Sequence, residues 1–342
     1  MFYLLKLGLK MNRQGVFRAA PVPLEEIPRS GDDLNSYLNN LVNDAHNFVN
    51  SLTFPSERPW KLNFKKLNKY GEVEVCSRVI KIKEHKQPQL GKAEIQALTQ
   101  GIEVVDGPDE QEENEAQEGN KEKKKNQGKS EKKAIRTEYW FSRHSVHNLD
   151  SENTDRPFIW DDFDDYLFKD HAEHELGYAP TVRQVDKIIV ESDWDLSGVS
   201  IPGWEIVKVA AYGIHHQLPW PLSERVFPIL LILATAVDNR ELMIISMPIK
   251  IASDIKGTNI KSQESVNVIT PKVTIGQYVA VERVLYRPAT ASDAKPQVIW
   301  DMATASDASG NIPMAIQRRG VGREIFKDVE AFLDYVHKKA AA

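Results

Sequence analysis

Between residues 182 and 306 the chain holds six apolar runs joined by turn residues, at 182–191, 204–215, 225–237, 241–251, 272–287 and 297–306. The joints carry Ser197-Gly198, Pro202-Gly203, Asp238-Asn239 and the polar stretches 253–262 and 288–296. Such punctuation marks strand ends. Parallel neighbours need helical crossovers, and no joint has the pattern of one. The six runs therefore predict a mainly antiparallel sheet. Asp238-Asn239 sits between two strongly apolar runs and reads as a hairpin turn, because both residues tolerate positive φ.

Helices flank the strands. Over 31–52, Leu34, Leu38, Leu41, Val42, Ala45, Phe48, Val49 and Leu52 recur at spacings of three and four, one stripe on a helix. Ser30 and Asp32 are available to cap it, and Pro55 ends it. Residues 71–82 alternate as a strand through Val73, Val75, Val79, Ile80 and Ile82, and 139–147 read as another. Residues 155–175 read as one helix with Trp160, Phe163, Leu167 and His174 on a face, closed by Gly177 and Pro180. At the C-terminus Asn311 suits a cap and Pro313 a first helical position, and Gly320 and Gly322 mark a break. From Arg323 onward Phe326, Val329, Phe332, Leu333 and Val336 form a final stripe. The order predicts an α+β protein, a curved antiparallel sheet around a long C-terminal helix.

Residues 30–342 are expected to form a single domain. A basic tail at 1–29 precedes it, and a charged insertion at 106–134 has too few apolar side chains to offset its chain entropy, so disorder is expected there. The first 24 residues carry Lys6, Lys10, Arg13 and Arg18 and no acid. A plain tail fits this, as does a mitochondrial presequence, so the expected location is cytoplasmic with mitochondrial as the alternative. A net charge of −5 argues against nucleic acid as a partner. The longest apolar run, 226–237, is shorter than the roughly 20 residues of a spanning helix. The one cysteine, Cys76, excludes an intramolecular disulfide and a cysteine-rich metal site, and its apolar setting reads as a small buried hydrophobe.

Two strands are apolar on both faces. One offers Phe227, Ile229, Leu231 and Leu233 against Val226, Leu230, Ile232 and Ala234; the next offers Met243, Ile245, Met247 and Ile249. Both faces are then buried. A solid core between layers gives this pattern, and so does the wall of an apolar cavity. His171 and His174 share a helix but lack the His-Glu-x-x-His order, so no metal is expected. His215 and His216 are strand neighbours and point to opposite faces. Arg143, Arg183, Arg225 and Arg283 each sit in or beside a strand and are candidates for an inward charge.

The stretch Trp140-Phe141-Ser142-Arg143-His144-Ser145-Val146-His147 resembles the opening of a fungal START-like family of unknown function. So does Leu218-Pro219-Trp220-Pro221-Leu222 with Arg225-Val226-Phe227-Pro228. So does Trp300-Asp301-Met302-Ala303-Thr304-Ala305-Ser306-Asp307, continuing through Gly310-Asn311-Ile312-Pro313-Met314. The resemblance runs roughly from Glu138 to Lys338. It implies a helix-grip fold with an apolar cavity between sheet and last helix, holding a lipid or other hydrophobic molecule, with transient contact to a membrane surface. The implied lining is Phe227, Ile229, Leu231, Met243, Ile245, Met247, Tyr278, Trp300, Met302, Met314, Phe326, Val329 and Leu333, with Arg143 and His215 as polar members. No cofactor is implied. Two alternatives remain: an enzyme of cyclase or hydratase type using His144, His215 or Glu282, and a scaffold using the charged insertion.

Overall fold

The computed structural model describes residues 17–52, 54, 57, 59–84, 104–106, 134–149, 158–218, 224–251, 274–290, 295–309 and 314–340. Two compact units divide the chain, Met1–Arg78 with Tyr139–Ala342, and Val79–Glu138.

In the first unit β1 (Val22–Pro23) precedes helix α1 (Gly31–Asn50), and the strands β2 (Lys61–Asn68) and β3 (Gly71–Glu84) follow. Strand β4 (Val104–Asp106) belongs to the second unit, and β5 (Ala134–Asn148) leads back into the first. Two short helices come next, α2 (Trp160–Phe163) and α3 (His171–Tyr178). Then come β6 (Val182–Ile189), β7 (Trp204–His216), β8 (Arg225–Ala236), β9 (Glu241–Lys250), β10 (Thr274–Ile275), β11 (Gln277–Arg287) and β12 (Gln297–Asp307). Helix α4 (Met314–Ala340) ends the described chain. In the second unit Ile80, Lys81 and Ile82 of β3 pair antiparallel with β4. Most of the charged insertion lies outside the described residues.

The sheet runs in the order β2-β3-β5-β12-β11-β9-β8-β7-β6, antiparallel as the turn chemistry predicts. The Asp238-Asn239 turn joins β8 to β9. Asn239 takes a φ of 54°, and the Asp238 carboxylate accepts from Arg240 N–H at 3.1 Å. Two parallel pairings of two residues each, β1 on β9 and β10 on β8, lie off this path, at the ends of interior strands.

Three corrections to the sequence reading concern local structure. The stretch 17–29 is not a tail. Phe17 is buried with its ring 5.5 Å from Phe48 and 5.6 Å from Trp140, and Leu24 and Ile27 are buried too. Apolar contact outweighs the basic character of the segment. The helix expected over 155–175 is broken. A π-helical turn at Asp164–Phe168 follows α2, and Asp170 adopts φ 48° before α3 begins. Leu167 and Phe168 in this wider turn are both buried in the core. Helix α4 runs from Met314 through Gly320 and Gly322 without a break. Two glycines lower helix propensity by about 1 kcal/mol each, which tertiary packing overrides. Strand β2 escaped prediction because Lys61, Lys65 and Lys66 interrupt its apolar alternation.

Helix α1 covers one face of the sheet. Its Phe48 packs on Trp140 of β5 at 4.4 Å, its His46 on Trp204 of β7 at 5.1 Å, and its Asn50 accepts from Arg283 of β11. Helix α4 covers the other face, where Phe332 meets Trp300 of β12 at 5.1 Å and Phe163 at 5.6 Å. Both faces of β8 and β9 are buried because each has a helix over it. The double apolarity is thus explained first by layering, a helix-grip sheet with a second helix behind it.

Candidate functional site

The α4 face of the sheet carries an unusual set of polar residues. Arg143, Met302, Glu282 and Ile244 form one row across β5, β12, β11 and β9 by strand register. Side chains in such a row share a face. Arg143 is 1% exposed. Its Nη2 donates to Glu282 Oε2 at 3.2 Å, and its guanidinium carbon lies 3.9 Å from the centroid of the Trp300 ring. Trp300 Nε1 donates to the same Glu282 oxygen at 2.9 Å. Among the described residues Arg143 Nε and Nη1 have no partner.

On this side of the sheet, β11 also contributes Tyr278, and α3 with Glu175 and Tyr178 and α4 with Asp328 lie near Arg143 and Glu282. Burial is the largest influence on the titration of all four, so each is surrounded by protein. Yet each is only half-buried by accessible surface. Each therefore keeps some surface on the α4 side of the sheet. Met302 retains surface in the same way, and so does His216, whose ring stands 5.1 Å from Phe227. Phe227 in turn lies 5.6 Å from Tyr278.

The electrostatics follow from enclosure. Burial pushes the Asp328 carboxyl up to about 7; Arg143 opposes this, and Glu282, Glu175 and Glu324 add to it. Burial also raises Glu175, with His171 opposing and Glu282 adding. Tyr178 is raised well above its usual value by burial, then by Glu175, Glu282 and Asp328. Tyr278 is raised by burial, then by Glu175, with a hydrogen bond to Ser246 opposing. Burial drives His216 down to about 4 and His147 down to about 3, so both are neutral at pH 7. His171 donates from Nδ1 to the Leu167 carbonyl at 2.7 Å, leaving Nε2 3.7 Å from Glu175.

Asp328→Asn tests this description. The folded protein holds a proton on Asp328 that the unfolded chain, with its carboxyl near 3.8, releases. Stability from that proton is present below pH 3.8 and lost as pH rises through about 7. The variant should therefore match the parent in acid and exceed it above neutrality, by on the order of 2 kcal/mol after allowing for partial exposure. Urea denaturation across pH reads this. A variant no more stable than the parent above neutrality would contradict an enclosed Asp328.

Residues 140–336 match a family described as a protein of unknown function, DUF3074. The chain belongs to the DUF3074 family. The match coincides with the span over which the sequence resembles a START-like family. No curated protein matches this DUF3074 chain. Among solved structures it is similar to human StAR-related lipid transfer protein 5, at 8% identity and a TM-score of 0.49, over 91% of this chain and 100% of that one. Human STARD10 is similar at 12% identity and a TM-score of 0.46, over 92% of this chain and 85% of that one. A StAR-related lipid transfer protein fragment from Xanthomonas axonopodis is similar at 11% identity and a TM-score of 0.38, over 81% and 98%. Likenesses of this size say nothing about the ligand of the DUF3074 chain.

The expected lining residues are sorted by the fold. Phe227, Ile229, Leu231, Tyr278, Trp300, Met302, Val329, Leu333 and Arg143 all lie on the α4 side. Of these, Tyr278 and Met302 keep appreciable surface, and Phe227 keeps 8%. Ile229, Leu231, Trp300, Val329 and Leu333 are sealed in solid core. Phe326 keeps surface but packs on Phe64 at 5.7 Å, toward β2. Met314 opens α4, and its side chain is outside the described residues. Met243, Ile245 and Met247 are corrected. They alternate with Leu242, Ile244 and Ser246 and so face α1, where Met243 pairs in register with Arg283. His215 is corrected for the same reason. It lies on the far face between Glu224 at 2.6 Å and Asp186 at 2.9 Å, while His216 takes the inner face.

The other candidate arginines divide too. Arg183 is exposed, Arg225 Nε donates to the Ala308 carbonyl, and Arg283 grips Asp301 on the α1 face. His144, His215 and Glu282 do not converge. His144 sits with Asp301 at 2.6 Å under α1, away from Glu282. His174 meets the Tyr335 hydroxyl at 2.8 Å and His171 the Leu167 carbonyl, a structural use for each. Sequence reasoning missed Glu175 and Asp328. The available signal was position: Asp328 stands three residues after Ile325 and four before Phe332, on the apolar stripe.

Proposed function

We propose that the protein binds a lipid or another hydrophobic molecule in a hollow between the sheet and α4. The single observation that supports this reading is the set of residues both enclosed and accessible: Phe227, Met302, His216, Tyr278, Tyr178, Glu175 and Asp328. Apolar and polar side chains are interleaved there, with Met302 between Arg143 and Glu282 in register and Phe227 against His216 and Tyr278, which suits a ligand with both apolar and polar parts. A ligand of this kind resides in membranes, so exchange requires transient contact with a membrane surface. Among the described residues no helix is long and apolar enough to cross a membrane.

Native mass spectrometry of protein purified from cells, with lipid extraction, tests the reading. A hydrophobic molecule should accompany the chain, up to one copy each. A chain that carries nothing and takes up no fluorescent lipid from vesicles would exclude it. Gly276→Ala sharpens the test. A Cβ at Gly276 would come within 2.3 Å of Phe227 Cε1, so the ring must shift within the hollow. Lipid uptake should fall about fivefold, with a stability cost of about 1–3 kcal/mol.

A further inference from the structure

The strand β2 is terminal in the sheet order, and six of its eight residues are exposed. By register with β3, Leu62, Lys65 and Leu67 stand opposite Cys76, Glu74 and Glu72 and so share a face. Phe64 and Lys66 stand opposite Val75 and Val73, on the α4 side. Leu62 is 46% exposed, and Leu67, at 79%, is the most exposed large apolar side chain among the described residues. Residues 61–72 hold four lysines, Lys61, Lys65, Lys66 and Lys69, against one acid, Glu72. The arm thus carries a net charge of +3 in a chain whose net charge is −5. Lys65 meets Glu72 at 2.6 Å and Lys69 meets Asp334 at 2.8 Å, but all four groups are more than a third exposed, and surface pairs of this kind hold weakly. Lys66 lies over the Phe64 ring at 5.1 Å. The arm is fastened to α4: Tyr70 donates to Asp334 at 2.5 Å, and Phe64 packs on Phe326 at 5.7 Å. Two more exposed lysines, Lys338 and Lys339, follow on that helix.

Lysine on a terminal strand guards it against pairing with another chain, which accounts for the charge. It does not account for the exposed leucines set between the lysines. Leucine beside basic residues fits a surface that is anionic outside and apolar just beneath, the interface of an acidic membrane. A nucleic acid offers the anion without the apolar layer. We propose that the β2 arm, residues 61–70, docks on an anionic membrane. Leu62 and Leu67 enter the headgroup layer, and Lys61, Lys65, Lys66 and Lys69 meet the acidic groups of the lipids. This rests on the hydrophobic-ligand reading for its purpose and names the surface through which exchange with a membrane takes place.

Co-sedimentation of the full chain with vesicles tests the docking without any bound ligand. At low salt, vesicles of phosphatidylcholine with phosphatidylserine should bind about tenfold tighter than phosphatidylcholine alone, and high salt should remove most of the difference. Lys65→Gln with Lys66→Gln should weaken binding to the anionic vesicles about twentyfold, roughly fivefold for each charge lost. Leu67→Ser should weaken it about tenfold at low and high salt alike, because its contribution is apolar. All three side chains are exposed, so each variant should keep the parent's urea midpoint, which separates lost docking from lost fold. Equal binding to the two vesicle types, or undiminished binding by the variants, overturns the docking surface. So does a chain that dimerises through β2 and ignores vesicles, or one that prefers duplex DNA to anionic vesicles at equal salt. The two readings fail separately. A chain that docks as described but carries and takes up no lipid keeps this surface and loses the hydrophobic-ligand reading. Lipid uptake from anionic vesicles that is the same in parent and variants keeps that reading and removes the surface.

Discussion

Arg143→Met should cost about 3–5 kcal/mol of folding stability, measured by urea denaturation at neutral pH. The guanidinium supplies the cation for Glu282 and covers the face of Trp300. Methionine restores much of the bulk but no charge. Glu282, only 8% exposed, is then left with one Trp300 N–H as its donor. An unpaired carboxylate in that position is expected to take up a proton, so the variant should regain stability as the pH falls. Removing both partners is different, because the double variant Arg143→Met, Glu282→Leu buries no charge. It should recover most of the loss, giving a coupling energy of a few kcal/mol between the sites. Losses that simply add would mean that the pair is not coupled, and the sealed-cation description of the hollow would fail with it.

Phe332→Ala should be comparably severe, about 3–5 kcal/mol, through loss of transfer energy and a cavity that rigid neighbours cannot fill. The ring is fully buried and touches three others, Trp300 at 5.1 Å, Tyr178 at 5.5 Å and Phe163 at 5.6 Å. These come from β12, α3 and α2, so one side chain ties α4 to three elements. The variant should unfold in one transition at a lower urea midpoint. Phe332→Leu, which keeps most of the volume, should lose less than half as much. A loss for Phe332→Ala below about 1 kcal/mol would show that the C-terminal half of α4 is not seated on the core. The half of α4 that carries Val329, Phe332, Leu333 and Val336 is thus an anchor, and Asp328, beside Val329, keeps some surface.

Much of the architecture was legible in the residues. The α1 stripe from Leu34 to Val49, the run of antiparallel strands, the Asp238-Asn239 hairpin and the C-terminal stripe all follow from periodicity and turn chemistry. Local pattern encodes these features, because a helix stripe or strand alternation must be written into the chain itself. The site was legible only in part. Strand alternation separates Met243 from Ile244 and His215 from His216, but it does not say which of the two faces meets which helix. That depends on α1 lying behind the sheet and α4 in front, a matter of tertiary packing. The sealing of Val329 and Leu333, and the accessibility of Tyr278 and Asp328 nearby, depend on how far α2, α3 and α4 close on each other.

By itself, the sequence determined an amphipathic helix, a run of mainly antiparallel strands, two of them apolar on both faces, and a long C-terminal helix, since period and turn residues are written into the chain. Only the tertiary structure decided where the packing is complete and where it opens. It alone joins Arg143 of β5 to Glu282 of β11, and enclosure by distant elements raises the carboxyls of Glu175 on α3 and Asp328 on α4. Burial is a property of everything around a residue, and no short window of sequence contains it.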